Sequence, residues 1–166
     1  MAFDEKYVTD LMRECGKIML SAHDVEKENG AVEVKEGAAN FVTRYDKAVQ
    51  DKLIGGLSER FPEASFLAEE KDNSDSIASC ALLFVIDPID GTTNFIHDMR
   101  CSVISVGVFS YGKPLFGTVY NPYYDELFTA AAGAGAYLNG KKIAVSARPI
   151  STALVSFGPA PYYREK

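Results

Sequence analysis

The sequence predicts an α+β fold, in which N-terminal helices pack on a mostly antiparallel β-sheet. Helical patterns occupy residues 4–23 and 43–61, whereas short strand patterns joined by turns fill most of the second half. Helices followed by a run of strands are typical of this class. A length of 166 residues is enough for a sizeable core, so we treat residues 1–166 as a single domain.

The composition excludes several classes of function. The formal net charge is −6 and no basic run is present, which disfavours nucleic acid and membrane partners. No stretch approaches the ~18 apolar residues of a membrane span, and no apolar signal core follows the N-terminus, so we expect a cytoplasmic protein. Three dispersed cysteines and two distant histidines argue against disulfides and zinc, so a bound metal should have oxygen ligands.

Two helices are predicted first. Apolar side chains recur at steps of three and one over residues 4–23, the stripe of an amphipathic helix. Thr43, followed three residues later by Asp46, fits a capping box that starts a second helix, which ends at residue 61 before a proline. The charged, glycine-containing residues between the two helices form either a loop or a short hairpin.

The remaining predicted elements are short strands bounded by turn residues. Residues 81–86 are wholly apolar, as expected of a central strand buried on both faces. Asn139-Gly140 is a strong signal for a two-residue hairpin turn. The predicted strands lie at residues 65–68, 81–86, 102–109, 115–120, 127–131, 136–138, 143–145 and 154–157.

Residues 87–95, with the sequence DPIDGTTNF, combine groups that suit a metal ion and a phosphate. A turn after the apolar strand could direct Asp87, Asp90 and the Ile89 carbonyl to one point, and oxygen-only ligands suit Mg²⁺. Gly91 allows close backbone approach, and free N–H groups at a helix start favour phosphate. The alternative is a simple turn with Asp90 as a helix N-cap, and these residues alone leave both open.

Other candidate residues have similar alternatives. Glu69 and Glu70 follow the strand at residues 65–68, so two successive predicted strands end in carboxylates. A surface acid pair is the alternative for the glutamates. Asp46 can be a capping acid and still hold a water, and Lys35 can be simply a solvated lysine in the loop.

The DPIDGTTNF stretch resembles the signature of the inositol monophosphatase family, the lithium-sensitive, magnesium-dependent phosphatases. Four other stretches resemble family blocks in the same order and spacing, so the resemblance covers essentially the whole chain. They are residues 41–46, 66–70, 117–122 and 135–143. The resemblance implies a layered α/β/α/β/α sugar-phosphatase fold whose C-terminal half is absent from this chain.

The resemblance also implies roles for single residues. Glu69, Asp87, the Ile89 carbonyl and Asp90 correspond to the ligands of two or three Mg²⁺ ions. Of these residues, Glu69, Ile89 and Asp90 also correspond to family residues that contact the substrate.

The implied catalytic residues are Thr92, Asp46 and Glu69. Thr92 corresponds to the threonine that orients the attacking water, and Asp46 to an outer acid that holds a water on the metal. Gly91 and Thr92 correspond to backbone donors to the substrate phosphate, and Lys35 to a lysine on a mobile loop.

The implied activity is hydrolysis of inositol monophosphate or a similar sugar phosphate by a metal-activated water, in a homodimer. Fructose-1,6-bisphosphate and a bisphosphate nucleotide are alternative substrates. Family members are longer and carry a second signature, Trp-Asp followed by small residues, whereas this chain contains no tryptophan. We therefore expect an N-terminal portion that is inactive alone, or else a module that binds a partner.

Overall fold

The structure, a computed structural model, describes residues 3–23, 25–28, 30–34, 41–68 and 80–156. Within them the helices are α1 (Glu5–Leu20), α2 (Arg44–Arg60) and α3 (Thr92–Ile96). The strands are β1 (Val32–Val34), β2 (Phe41–Thr43), β3 (Ser65–Ala68), β4 (Leu83–Asp90), β5 (Val103–Ser110), β6 (Lys113–Asn121), β7 (Glu126–Ala131), β8 (Gly135–Leu138) and β9 (Lys141–Ile143). No helix among these residues is long and apolar enough to cross a membrane.

Seven strands form one sheet in the order β3-β4-β5-β6-β7-β8-β9. The β3–β4 pair is parallel and all the other neighbours in this sheet are antiparallel. The prediction of a mostly antiparallel α+β fold is therefore confirmed. Asn139 and Gly140 both have positive φ in the turn between β8 and β9, as the sequence predicted. The short hairpin also forms, with β1 pairing to β2.

One face of the sheet carries the hydrophobic core. The apolar stripes of α1 and α2 pack there against alternate residues of β4, β5 and β6, which accounts for the periodicity of both helices and strands. The buried side chains on this face include Val8, Met12, Cys15, Met19, Val49, Leu53, Leu57, Phe84, Ile86, Ile104, Val106 and Val108. The start of α2, where Asp46 lies, is therefore held close to the sheet.

Two predicted strand boundaries and one predicted strand require correction. β4 continues to Asp90 instead of ending at residue 86, because β5 supplies pairing partners for the additional residues. β9 spans Lys141–Ile143 rather than residues 143–145, since the two-residue turn fixes its start. The strand predicted at residues 154–157 is wrong for the described residues 154–156, where Leu154 is 98% exposed and no ladder forms.

Helix α1 approaches the sheet most closely at Gly16. A β-carbon added to this glycine would lie 2.5 Å from the Tyr120 Cε1 atom and 3.0 Å from the Pro122 Cβ atom. Both atoms belong to packed side chains on or beside β6, and Tyr120 is only 6% exposed. The glycine therefore sets the distance between α1 and β6.

Gly16→Ala should lower the free energy of unfolding by about 1 kcal/mol, since overpacking costs about 1–3 kcal/mol and improved helix propensity returns about 1 kcal/mol. Gly55→Ala in α2 is the matched control, because its β-carbon would meet nothing within 4 Å. That control should stabilise the protein by about 0.4–1 kcal/mol. Denaturant unfolding of the wild type and both variants measures the difference, and equal stability of the two variants would contradict the close approach.

Candidate active site

The DPID stretch is the bulged end of a strand rather than a turn after it. Asp87 pairs with Ser105 and Asp90 with Val103, so β4 has two residues where β5 has one. Such a bulge shifts the alternation of side chains by one position. Because Ser105 and Val103 share a face of β5, their partners Asp87 and Asp90 share that face of β4. A bulge within β4, and not a turn after it, thus places the two carboxylates on one face of the strand.

The parallel pairing of β3 and β4 brings a second chain segment to this edge of the sheet. Ala68 pairs with Ile86, the residue directly before Asp87. Glu69 is the next residue after Ala68, and it lies outside the described residues, as do Glu70 and Lys35. Their assigned roles therefore stay predictions.

Gly91, not Asp90, occupies the N-cap position of α3. Its φ of +85° lies in the left-handed region, and no side chain in the described ranges caps the helix. A left-handed residue at this position favours glycine, because a β-carbon would collide with the backbone. A β-carbon would also lie 3.2 Å from the Asn94 Nδ2 atom. The alternative in which Asp90 serves only as a cap is therefore wrong.

Asp46 is a buried carboxylate, 1% exposed, whose two oxygens face different elements. Its Oδ2 accepts hydrogen bonds from the Thr43 backbone N–H at 2.8 Å and from the Thr43 hydroxyl at 2.5 Å. The Thr43 oxygen accepts in turn from the backbone N–H of Asp46 at 3.3 Å. The predicted capping box is confirmed, and it fixes the orientation of the carboxylate at the start of α2.

The other oxygen of Asp46 reaches Thr92. The Thr92 hydroxyl lies 3.2 Å from Asp46 Oδ1 and 3.1 Å from the Ile89 carbonyl oxygen. A hydroxyl carries one hydrogen and two lone pairs, so it can donate toward one of these acceptors and still accept from a water. The structure therefore brings together three of the residues that the sequence singled out.

The chemistry of the donors fits a hard cation. The bulge supplies two carboxylates, on Asp87 and Asp90, and one carbonyl oxygen, on Ile89. Such oxygen ligands suit Mg²⁺ and are a poor match for zinc or copper. Among the described residues no group of three His, Cys, Asp or Glu side chains could hold a metal ion alone.

A polar cavity of about 560 Å³ lies near the other end of α3, and both histidines line it. The Nδ1 atom of His97 is 3.6 Å from a carboxylate oxygen of Glu26. Burial, aided by the negative charge of Asp98, raises the pKa of Tyr123 to about 12. His97 is the C-cap residue of α3 and Thr92 is its first residue, so the cavity and the bulge lie at opposite ends of this helix.

Comparison with known proteins assigns this sequence to a family. The sequence model of the inositol monophosphatase family matches residues 4–161. The chain belongs to the inositol monophosphatase family. The resemblance inferred from the DPIDGTTNF stretch is confirmed by this match.

Individual known proteins are similar to this chain in sequence and in structure. Inositol monophosphatase 3 of Solanum lycopersicum is 41% identical over 120 residues, which is 68% of this chain and 43% of that protein. Inositol-1-monophosphatase of Bacillus subtilis is 37% identical over 134 residues, 80% of this chain and 49% of that protein. The crystal structure of the extragenic suppressor protein suhB from Bartonella henselae superposes with a TM-score of 0.78 at 33% identity, covering 86% of this chain and 54% of that one. The chain spans about half the length of the curated relatives it matches.

One polar residue near the bulge carried no signal in the sequence. Ser102 is fully buried, and its hydroxyl donates to the Gly91 carbonyl oxygen at 3.0 Å. A serine at the start of a β-rich stretch has no motif or spacing that would distinguish it. Only the register between β4 and β5 brings it to Gly91.

Thr43→Ala should lower the free energy of unfolding by about 1 kcal/mol, because it removes the N-cap of α2. Thr43→Ser keeps the hydroxyl and should retain most of the stability. Thr9→Ala in α1 is the control, since the exposed Thr9 hydroxyl only donates to a carbonyl of its own helix. Thermal unfolding compares the three variants, and a Thr43→Ala protein as stable as Thr9→Ala would argue against the cap.

Proposed function

We propose that the protein is a magnesium-dependent phosphatase, and that this chain provides most of its metal and phosphate site. The observation that carries the proposal is the hydrogen bond between Thr92 and Asp46 beside the bulge that holds Asp87 and Asp90. A buried carboxylate and a hydroxyl in contact can take a proton from a water, and two carboxylates three residues apart can hold a cation.

Asp87, Asp90 and the Ile89 carbonyl, together with Glu69, are the residues proposed to hold Mg²⁺. When bound, the ions supply positive charge that stabilises the phosphate oxygens and the leaving oxygen. The net charge of −6 supports the binding of Mg²⁺, because an acidic chain repels a phosphorylated substrate unless a cation lies between them. Gly91 and Thr92 are the proposed backbone donors to the phosphate, and Lys35 the proposed lysine of a loop beside the site.

The proposed role of the Thr92–Asp46 pair is to orient and deprotonate the attacking water. The water donates to Thr92 Oγ1, which donates its own hydrogen to Asp46 Oδ1. As the water oxygen bonds to phosphorus, the bond between phosphorus and the sugar oxygen breaks. One proton of the water passes to Thr92 while the threonine proton passes to the carboxylate, and the released sugar oxygen takes a proton from solvent. The two donors from Thr43 hold Asp46 in place throughout. Glu69 is the proposed second acid beside the water.

The proposed substrate is inositol monophosphate or a similar sugar phosphate, and fructose-1,6-bisphosphate and bisphosphate nucleotides are the alternatives. Membership of the family supports a small phosphorylated substrate. Lithium sensitivity, a homodimer and a cytoplasmic location belong to the same proposal. An activity panel across inositol, fructose and nucleotide phosphates, using the protein from its complete reading frame, would distinguish the substrates.

A second candidate function is a binding module that uses the open face of the sheet. Opposite α1 and α2, the described part of the sheet carries an apolar trough of about 320 Å³. The directly paired Gly107 and Gly117 form its floor, and Phe128 and Ile143 line it while partly exposed. Sequencing the reading frame past Lys166 decides between the candidates. A continuation with Trp-Asp and small residues favours the enzyme, whereas a stop codon favours the module.

Asp90→Asn in the complete protein should lower Mg²⁺-dependent phosphate release by at least about a hundredfold. Metal stabilisation of the transition state is worth several kcal/mol, and each factor of ten corresponds to about 1.4 kcal/mol. Asp51→Asn on the exposed side of α2 makes the same chemical change away from the bulge and should retain full activity. Turnover by Asp90→Asn at the rate of Asp51→Asn would remove the metal assignment.

The 166-residue chain alone should release phosphate at a negligible rate, because the family resemblance places a further carboxylate ligand outside it. Purified chain and complete protein are compared on the same substrate at saturating Mg²⁺. Turnover by the short chain at the rate of the complete protein would contradict the expectation.

A further inference from the structure

Ser102 is the buried polar side chain that links β5 to the bulged end of β4. It is 0% exposed and directly precedes the first residue of β5. Its hydroxyl donates to the Gly91 carbonyl oxygen at 3.0 Å. Burial of a hydroxyl is unfavourable unless it forms a hydrogen bond, so this contact determines where the Ser102 side chain points.

The Gly91 carbonyl accepts from two donors. The backbone N–H of Phe95 donates to it at 3.0 Å, and Ser102 provides the second hydrogen bond. A carbonyl oxygen has two lone pairs, so both bonds can form together. The carbonyl of Gly91 and the amide nitrogen of Thr92 belong to one planar peptide group. Fixing the oxygen from two sides therefore fixes the orientation of the peptide that leads into Thr92.

Among the described residues, no side chain caps the start of this short element. Helix α3 has five residues, and its N-cap residue has no side chain with which to cap it. Gly91 is also the residue with the greatest backbone freedom, and here it has a φ of +85°. A rotation of the peptide would carry the Thr92 hydroxyl away from Asp46 Oδ1, which lies 3.2 Å from it.

We propose that Ser102 is a positioning residue for catalysis, which holds the Gly91–Thr92 peptide so that the Thr92 hydroxyl meets the Asp46 carboxylate. The inference rests on the proposed phosphatase function. The Ser102 hydroxyl donates to the Gly91 carbonyl oxygen, so Ser102 acts on the pair through that carbonyl. Its effect is therefore on the orientation of the pair and not on the binding of Mg²⁺.

The chain provides a matched control at the opposite end of the same strand. The Ser110 hydroxyl, in the last residue of β5, donates to the Ala81 carbonyl oxygen at 2.9 Å. Ser110→Ala thus removes the same kind of hydrogen bond, between the same two neighbouring chain segments, far from Thr92. Ser102→Thr keeps the hydroxyl and tests whether the oxygen itself is needed.

In the protein from its complete reading frame, Ser102→Ala should lower kcat by about tenfold, as expected for a misplaced reacting group. The Mg²⁺ concentration for half-maximal activity should stay within about twofold, because no metal ligand is removed. Ser110→Ala should leave both quantities unchanged, and Ser102→Thr should recover kcat. Loss of Mg²⁺ affinity together with kcat in Ser102→Ala would indicate a general distortion and overturn the positioning role.

Crystal structures of the same variants test the inference independently of turnover. The separation between Thr92 Oγ1 and Asp46 Oδ1 should increase in Ser102→Ala and remain unchanged in Ser110→Ala. An unchanged separation in Ser102→Ala overturns the inference. A wild-type protein without Mg²⁺-dependent turnover would instead overturn the proposed function, and the measured separation would still decide whether Ser102 orients Thr92.

Discussion

The buried carboxylate of Asp46 is the group on which the arrangement of the site depends. A carboxylate removed from water is costly unless hydrogen bonds replace its hydration. Thr43 satisfies one oxygen from within the capping box, and Thr92 approaches the other from a different element. Helix α2 can therefore begin only where the end of β4 and the start of α3 are within hydrogen-bonding distance. The packing of α2 on the sheet provides that distance.

Local signals in the sequence predicted much of the fold. The capping box located the start of α2 because its hydrogen bonds connect residues only three apart. Asn139-Gly140 located a turn because positive φ is a property of the residues themselves. The apolar stripe of α1 predicted its core-facing side, although the helix ends at Leu20 rather than at residue 23. For the candidate site, residue types and order single out the DPIDGTTNF stretch and Asp46, and the structure brings Thr92 of that stretch within 3.2 Å of Asp46.

The features that the sequence did not predict depend on contacts between distant segments. The extension of β4 to Asp90 requires pairing partners on β5, and the bulge is defined only by that register. The contribution of Ser102 arises from the same pairing. Leu154 and Val155 are apolar residue types typical of a strand, but they have no neighbouring strand to pair with in the described sheet. Pairing of this kind depends on the whole fold and cannot be predicted from a short stretch of sequence.

The sheet order has a consequence for the sequence of events in folding. From β4 to β9 every strand pairs with the strand that follows it along the chain, so these hairpins can form by closing short loops. The contact between Asp46 and Thr92 instead joins residues 46 positions apart and needs both the helix layer and the sheet. We therefore expect the hairpins to form early and the Asp46–Thr92 contact to be among the last to be completed. In local opening of the native state, the same contact should be among the first to separate.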